Sequence, residues 1–212
     1  MQVFSVISQK GGAGKTTLAC ALAVAAQRAG MSTLLVDLDP QGTAVMWGAL
    51  REAETPVVSA ASTDHLGSVL GAARGAGARL AVIDTPPQSA EAALAAARIS
   101  DLVLIPCRPS AADLHAIGTS VDLAREAGVQ AVAILNAAPV RHPLISQARE
   151  AVAGYGLDAA PVVVHQRIDH VHAFTAGRSA IEIARSKAGQ EIERLFAWLR
   201  QGSLPFDQET SS

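Results

Sequence analysis

Aromatic side chains make up 3% of this 212-residue chain, too few for nucleic-acid recognition built on base stacking. Cysteine is nearly missing: Cys20 and Cys107 are the only two, and with no CxxC pair to hold zinc or an iron–sulfur cluster they are expected to be reduced thiols. Neither charge is in strong excess. The formal net charge of −2 supplies no global basic field, so contact with nucleic acid has to come from a local patch. Every apolar run is shorter than a membrane span, and the first residues enter a strand without the charged leader and apolar core of a signal peptide, which points to a cytoplasmic protein with no membrane partner. Internal repeats and low-complexity linkers are lacking too. Lysine is the scarcest charged residue, with three copies beside fourteen arginines.

Half of the residues are apolar, enough to bury the sheet of one domain over residues 1–201, followed by a short polar and acidic tail at 202–212 that is expected to be disordered. Two of the three lysines fall in one stretch, QKGGAGKTT at positions 9 to 17. It follows the apolar run Val3 to Ile7 and precedes the Ala/Leu-rich run Leu18 to Ala29, and so reads as strand, glycine loop, helix. Gly11, Gly12, Ala13 and Gly14 let backbone N–H groups turn inward around a polyphosphate at a helix N-terminus. Lys15 is placed to reach the β- and γ-phosphates, and the Thr16 hydroxyl to ligate Mg²⁺. The loop departs from the usual GxxxxGK[ST] spelling, with Lys10 as a second lysine at its entrance.

Two further strands end in acids. Leu34 to Asp37 is apolar up to its carboxylate and continues as Leu38-Asp39-Pro40-Gln41-Gly42, which sets two acids at the edge where open α/β sheets bind ligands. The same turn is also an ordinary helix start. Leu80 to Ile83 leads to Asp84 in the manner of a Walker B element, in which a buried strand delivers one aspartate to the Mg²⁺ side of a nucleotide. Strands are further expected at 56–59, 101–107, 129–136 and 161–164, alternating with helices at 44–52, 64–73, 89–99, 111–127, 143–153 and 187–201. Arg108-Pro109-Ser110 starts the helix at 111, with Ser110 as its cap. Residues 165–180 read as a small, polar segment. Asn136 either faces an adenine rim or forms the turn before Pro139. The alternation gives an α/β fold, a single doubly wound, mostly parallel sheet of about seven strands with helices on both faces.

With QKGGAGKTT, LLVDLDPQG at 34 to 42 and LAVIDTPP at 80 to 87 in place, the chain resembles the ParA/MinD group of deviant Walker A ATPases over nearly its whole length. HQRIDHVHAFTAGRSAIE at 165 to 182 is similar to the matching segment of short, ParF-type plasmid-partition ParA proteins, which lack an N-terminal helix-turn-helix extension. The resemblance implies a homodimer that forms on ATP binding, sandwiching two nucleotides, with Lys10 crossing to the partner's phosphates. It assigns Lys15 to the phosphates in cis, Thr17 to the α-phosphate, Thr16 and Asp84 to Mg²⁺, and Asp39 to the attacking water, with Asp37 supporting the metal shell and the switch. Such a site agrees with in-line phosphoryl transfer, which needs neutralising charge and a held water more than a covalent nucleophile.

The resemblance also implies slow hydrolysis until a ParB/ParG-like centromere- or cargo-binding protein stimulates it. It implies non-specific DNA binding by the ATP form, and so a nucleoid-associated location. Residues 141–200 hold eight Arg/Lys against six Asp/Glu. Arg167, Arg178, Arg185 and Lys187, with Arg194 and Arg200, are the candidate DNA contacts; a solvated helix surface is the other reading. His142, His165, His170 and His172 cluster in the same region without the acids or cysteines of a metal site. Competing classes are a MinD-like membrane regulator, disfavoured by the acidic C-terminal SLPFDQETSS, a cobyrinate synthase-like enzyme, an iron–sulfur carrier and a non-hydrolysing adaptor.

Overall fold

The apolar runs become strands, the central five of them buried on both faces and the edge strands β3 and β7 partly exposed, and the Ala-rich runs become helices that cover them. In the computed structural model, which describes residues 1–202, these are β1 (Gln2–Val6), β2 (Thr33–Asp37), β3 (Val57–Ala60), β4 (Leu80–Asp84), β5 (Leu102–Cys107), β6 (Ala131–Leu135) and β7 (Asp158–Ala159). The helices between and after them are α1 (Lys15–Arg28), α2 (Thr43–Ala49), α3 (Leu66–Gly75), α4 (Ala90–Arg98), α5 (Ala111–Ala127), α6 (Leu144–Gly154), α7 (Ile168–Thr175) and α8 (Lys187–Gly202). From residue 203 onward the expected tail lies outside the described residues.

The strands form one sheet in the order β3-β2-β4-β1-β5-β6-β7, parallel throughout, as the continuous apolar runs require. Alternation along each strand sorts the core. Phe4, Val6, Leu35, Val82 and Leu104 face α1 and α8, while Val3, Ile83, Val103 and Ile105 face the helices of the opposite layer. Ile192, Leu195, Phe196 and Leu199 on α8 are all buried, so the stripe at three- and four-residue spacing belongs to the core. Each such side chain contributes about 2 kcal/mol of burial.

The order matters most at β4, which inserts between β1 and β2. Val6 pairs with Asp84, and Asp84 with Asp37, so both acids end on one row at the level where the chain leaves β1 for the glycine loop. Ser110 caps α5 as expected, its hydroxyl accepting from the Asp113 amide, and Gly128 at φ 67° ends that helix.

Two segments differ from the sequence expectation. The seventh strand lies at 158–159, ahead of 161–164. The later segment runs beside β6 through single bonds, from the Val164 amide to the Leu135 carbonyl (2.9 Å) and from the Ala138 amide to the Val164 carbonyl (3.1 Å). Pro161 has no N–H to extend the ladder. The polar segment after Gln166 contains α7, whose helicity comes from tertiary support: Ala173 is buried, Phe174 stacks on Trp47 at 6.4 Å, and Ser186 Oγ–H donates to Asp169 (2.6 Å).

Candidate nucleotide site

The loop from Ser8 to Gly14 leaves β1 and runs into α1, whose first residue is Lys15. Gly12 and Gly14 take positive φ (76° and 84°). Gly14 tolerates no side chain, because a Cβ there would strike the Asn136 amide nitrogen. That nitrogen donates to the Ala13 carbonyl at 2.7 Å, and the Asn136 backbone amide is tied to Cys107. Asn136 therefore braces the loop from below; its amino group is taken up by the backbone, which leaves its carbonyl oxygen for any base or ribose. The two loop lysines point to different surroundings. Lys15 is 7% exposed, and burial lowers its pKa while Asp84 and Asp39 hold it up in part. Lys10 and Gly11 are exposed at the mouth, and Thr16 and Thr17 are half-buried in the first turn.

Asp84 is wholly buried, and among the described residues neither of its oxygens makes a well-formed hydrogen bond. Its pKa is pushed up to about 7: burial and the nearby Asp37 and Asp39 raise it, against the Thr16 hydroxyl and Lys15, which favour the ionised form. A buried carboxylate left without donors beside a hydroxyl suits a hard divalent cation. No group of three or more His, Cys, Asp or Glu among the described residues forms a cage, so a cation here would complete its shell with water and phosphate, as Mg²⁺ does.

The other two acids are engaged differently from one another. Asp37, expected to support the metal shell, spends both oxygens on backbone amides: Asp39 (3.0 Å) on one, Ala44 (2.9 Å) and Val45 (3.0 Å) on the other. It anchors the N-terminus of α2, whose unpaired N–H groups it satisfies. Asp39 is half-buried; one oxygen accepts from the Gln41 amide (2.9 Å), and the other accepts no hydrogen bond among the described residues.

A cleft of about 220 Å³ runs from Gly14 and Thr17 past Asn136 to Gln166 and His170. Residues 165–167, 170 and 171 thus line the cleft beside the loop. Of the basic candidates, Arg167 is held by Glu191 through Nε (3.0 Å) and Nη2 (2.7 Å), and Arg178 donates to the Glu182 carbonyl. Arg185 and Lys187 are exposed and unpaired among the described residues.

Sequence reasoning passed over Glu191, whose carboxylate also binds the His165 amide (3.0 Å) and imidazole (2.9 Å), because an acid inside a polar helix pattern gives no local sign of burial. It passed over Arg51 because a lone basic residue just past a helix gives no local sign of a partner 131 positions away. That side chain, 4% exposed, grips both oxygens of Glu182 (3.0 and 3.1 Å) and the Gly177 carbonyl (2.9 Å) and stacks on Trp47 at 4.7 Å.

A parallel doubly wound sheet with a glycine loop leading into α1, a buried lysine and strand-end acids defines a P-loop nucleotide-binding protein. The profile of the CobQ/CobB/MinD/ParA nucleotide binding domain family matches residues 4–201, and the chain belongs to that family. Maintenance of carboxysome distribution protein A from Gloeobacter kilaueensis is 41% identical over 115 residues, 53% of this chain and 52% of that protein, so the match spans about half of the relative's length. Among solved structures, the MinD cell division protein of Aquifex aeolicus superposes with a TM-score of 0.78 at 16% identity, covering 97% of this chain and 99% of the other. Cobyrinic acid a,c-diamide synthase from Mycobacterium smegmatis, with a bound ATP analogue and magnesium, gives 0.75 at 19% identity, covering 94% and 95%. At these identities the likeness is one of fold, which hosts positioning, division and biosynthetic proteins alike.

Proposed function

We propose that this chain is a positioning ATPase of the ParA kind. It binds ATP with Mg²⁺, pairs with a second copy, holds DNA without sequence preference in that state, and lets go when a ParB/ParG-like partner speeds hydrolysis. The observation that carries the reading is the division of labour between the loop lysines. Lys15 is turned into its own subunit beside Asp84, whereas Lys10 stands exposed at the loop mouth, suited to the phosphates of an opposing subunit. In the hydrolytic step Lys15 and Lys10 offset phosphate charge and Asp39 orients the attacking water with its free oxygen. Thr16 and Asp84 would hold Mg²⁺, which would supply neutralising charge for phosphoryl transfer.

The relative named for carboxysome distribution supports cargo positioning over biosynthesis, with a plasmid, a chromosome region or another large body as cargo and short partition ParA proteins as the nearest functional type. Burial of the apolar face of α8 supports DNA over a membrane surface as the matrix. The purified chain should retard non-specific DNA with ATP and Mg²⁺ but not with ADP, and Lys10→Ala should abolish this. Failure of the parent chain to bind DNA at low salt with ATP and Mg²⁺ would sink the reading.

A further inference from the structure

Arg108 leaves the end of β5 and precedes Pro109, which keeps its backbone out of α5. Its side chain is exposed and makes no hydrogen bond or ion pair among the described residues. The acid nearest to it in sequence, Asp113, accepts instead from the Ser110 hydroxyl. The guanidinium approaches the glycine loop: a Cβ built on Gly12 would meet Arg108 Nη2 at 3.7 Å and, among the described residues, nothing else within 4 Å. Arg108 also lines the cleft that contains Gly14, Thr17 and Asn136.

We infer that Arg108 is a phosphate-binding residue of the nucleotide site, a third cation on the loop that acts within its own subunit. The chemistry is distinct from that of the two lysines. A guanidinium offers a planar fork of donors that matches two phosphate oxygens at once, where an ammonium offers a point charge. An arginine unpaired among the described residues and beside the loop backbone meets that need at the lip of the cleft, and Asn136 holds the loop in place against it. The inference rests on the nucleotide reading above.

Titration calorimetry with ATP, ADP and adenosine, in Mg²⁺ and at protein concentrations low enough to keep the chain monomeric, tests it. Arg108→Ala should bind ATP and ADP about ten- to a hundredfold more weakly, the loss of one charge-assisted hydrogen-bond pair. Adenosine affinity should stay at the parent value. Arg108→Lys should recover part of the loss, because charge is restored without the fork. A thermal melt matching the parent shows that the fold is retained, as expected for an exposed side chain. Equal ATP and ADP affinities in the parent and a folded Arg108→Ala overturn the inference alone, whereas a parent chain that binds neither nucleotide overturns both it and the nucleotide reading.

Discussion

A buried carboxylate with only the Thr16 hydroxyl beside it costs several kcal/mol unless a proton or a cation compensates it, and Asp84, within reach of the charges of Asp37 and Lys15, is in that condition. Asp84→Asn keeps the shape and removes the repulsion from Asp37 and Asp39. Without nucleotide the variant should be as stable as the parent or more stable by about 1 kcal/mol, as at other sites where function opposes stability. In the presence of Mg²⁺ and ATP, the rise in melting temperature shown by the parent should largely vanish. Scanning fluorimetry with and without Mg²⁺ and ATP reads both effects, and a variant that melts well below the parent without ligand would argue that Asp84 is structural. Gly14 and Asn136 show the converse economy: one side chain is absent so that the other can hold the loop backbone.

At the scale of elements, α2 is fastened at both ends. Asp37 holds its first amides, and Arg51, just past its last turn, reaches across to Glu182 and Gly177, while Trp47 Nε1–H donates to the Arg178 carbonyl (3.1 Å). Gly177, at φ 63°, fits only because it lacks a Cβ, which would meet the Leu50 backbone at 2.5 Å. Arg51→Met should cost about 3 kcal/mol at pH 7, because Glu182 is left half-desolvated without its partner. Burial raises the Glu182 pKa, but Arg51 and the Ser179 amide outweigh it and hold the group below its ordinary 4.5. A lowered carboxylate pKa stabilises the fold fully above the ordinary value, and that stability is lost as pH falls through the lowered one. The gap between parent and variant in urea melts should therefore be constant from pH 7 to about 5 and shrink in more acidic buffer. A gap that widens in acid would contradict the ion pair.

For the whole molecule, the proposed cycle separates assembly from turnover. Asp39→Ala removes the group assigned to the water and leaves Lys10, Lys15 and the loop intact, so hydrolysis should fall roughly a hundredfold. The mass should still double with ATP in light scattering. Turnover equal to that of the parent would show that another group holds the water.

Much of this was legible in the residues themselves. The glycine loop, the buried apolar strands with Asp37 and Asp84 at their ends, the cap at Ser110 and the core stripe of α8 are contiguous patterns, written in spacing and local propensity. They suffice for the fold class and for the expectation of a phosphate site. Tertiary structure alone decided that β4 lies between β1 and β2, which brings the acids level, and that Asp37 serves backbone amides where Asp39 keeps an oxygen free. It also decided that Asn136 and Arg108 converge on a loop about a hundred positions earlier, and that Arg51 meets a glutamate 131 positions away. Strand order and packing across such distances arise from how whole faces fit together, and periodicity along the chain carries no record of which faces meet.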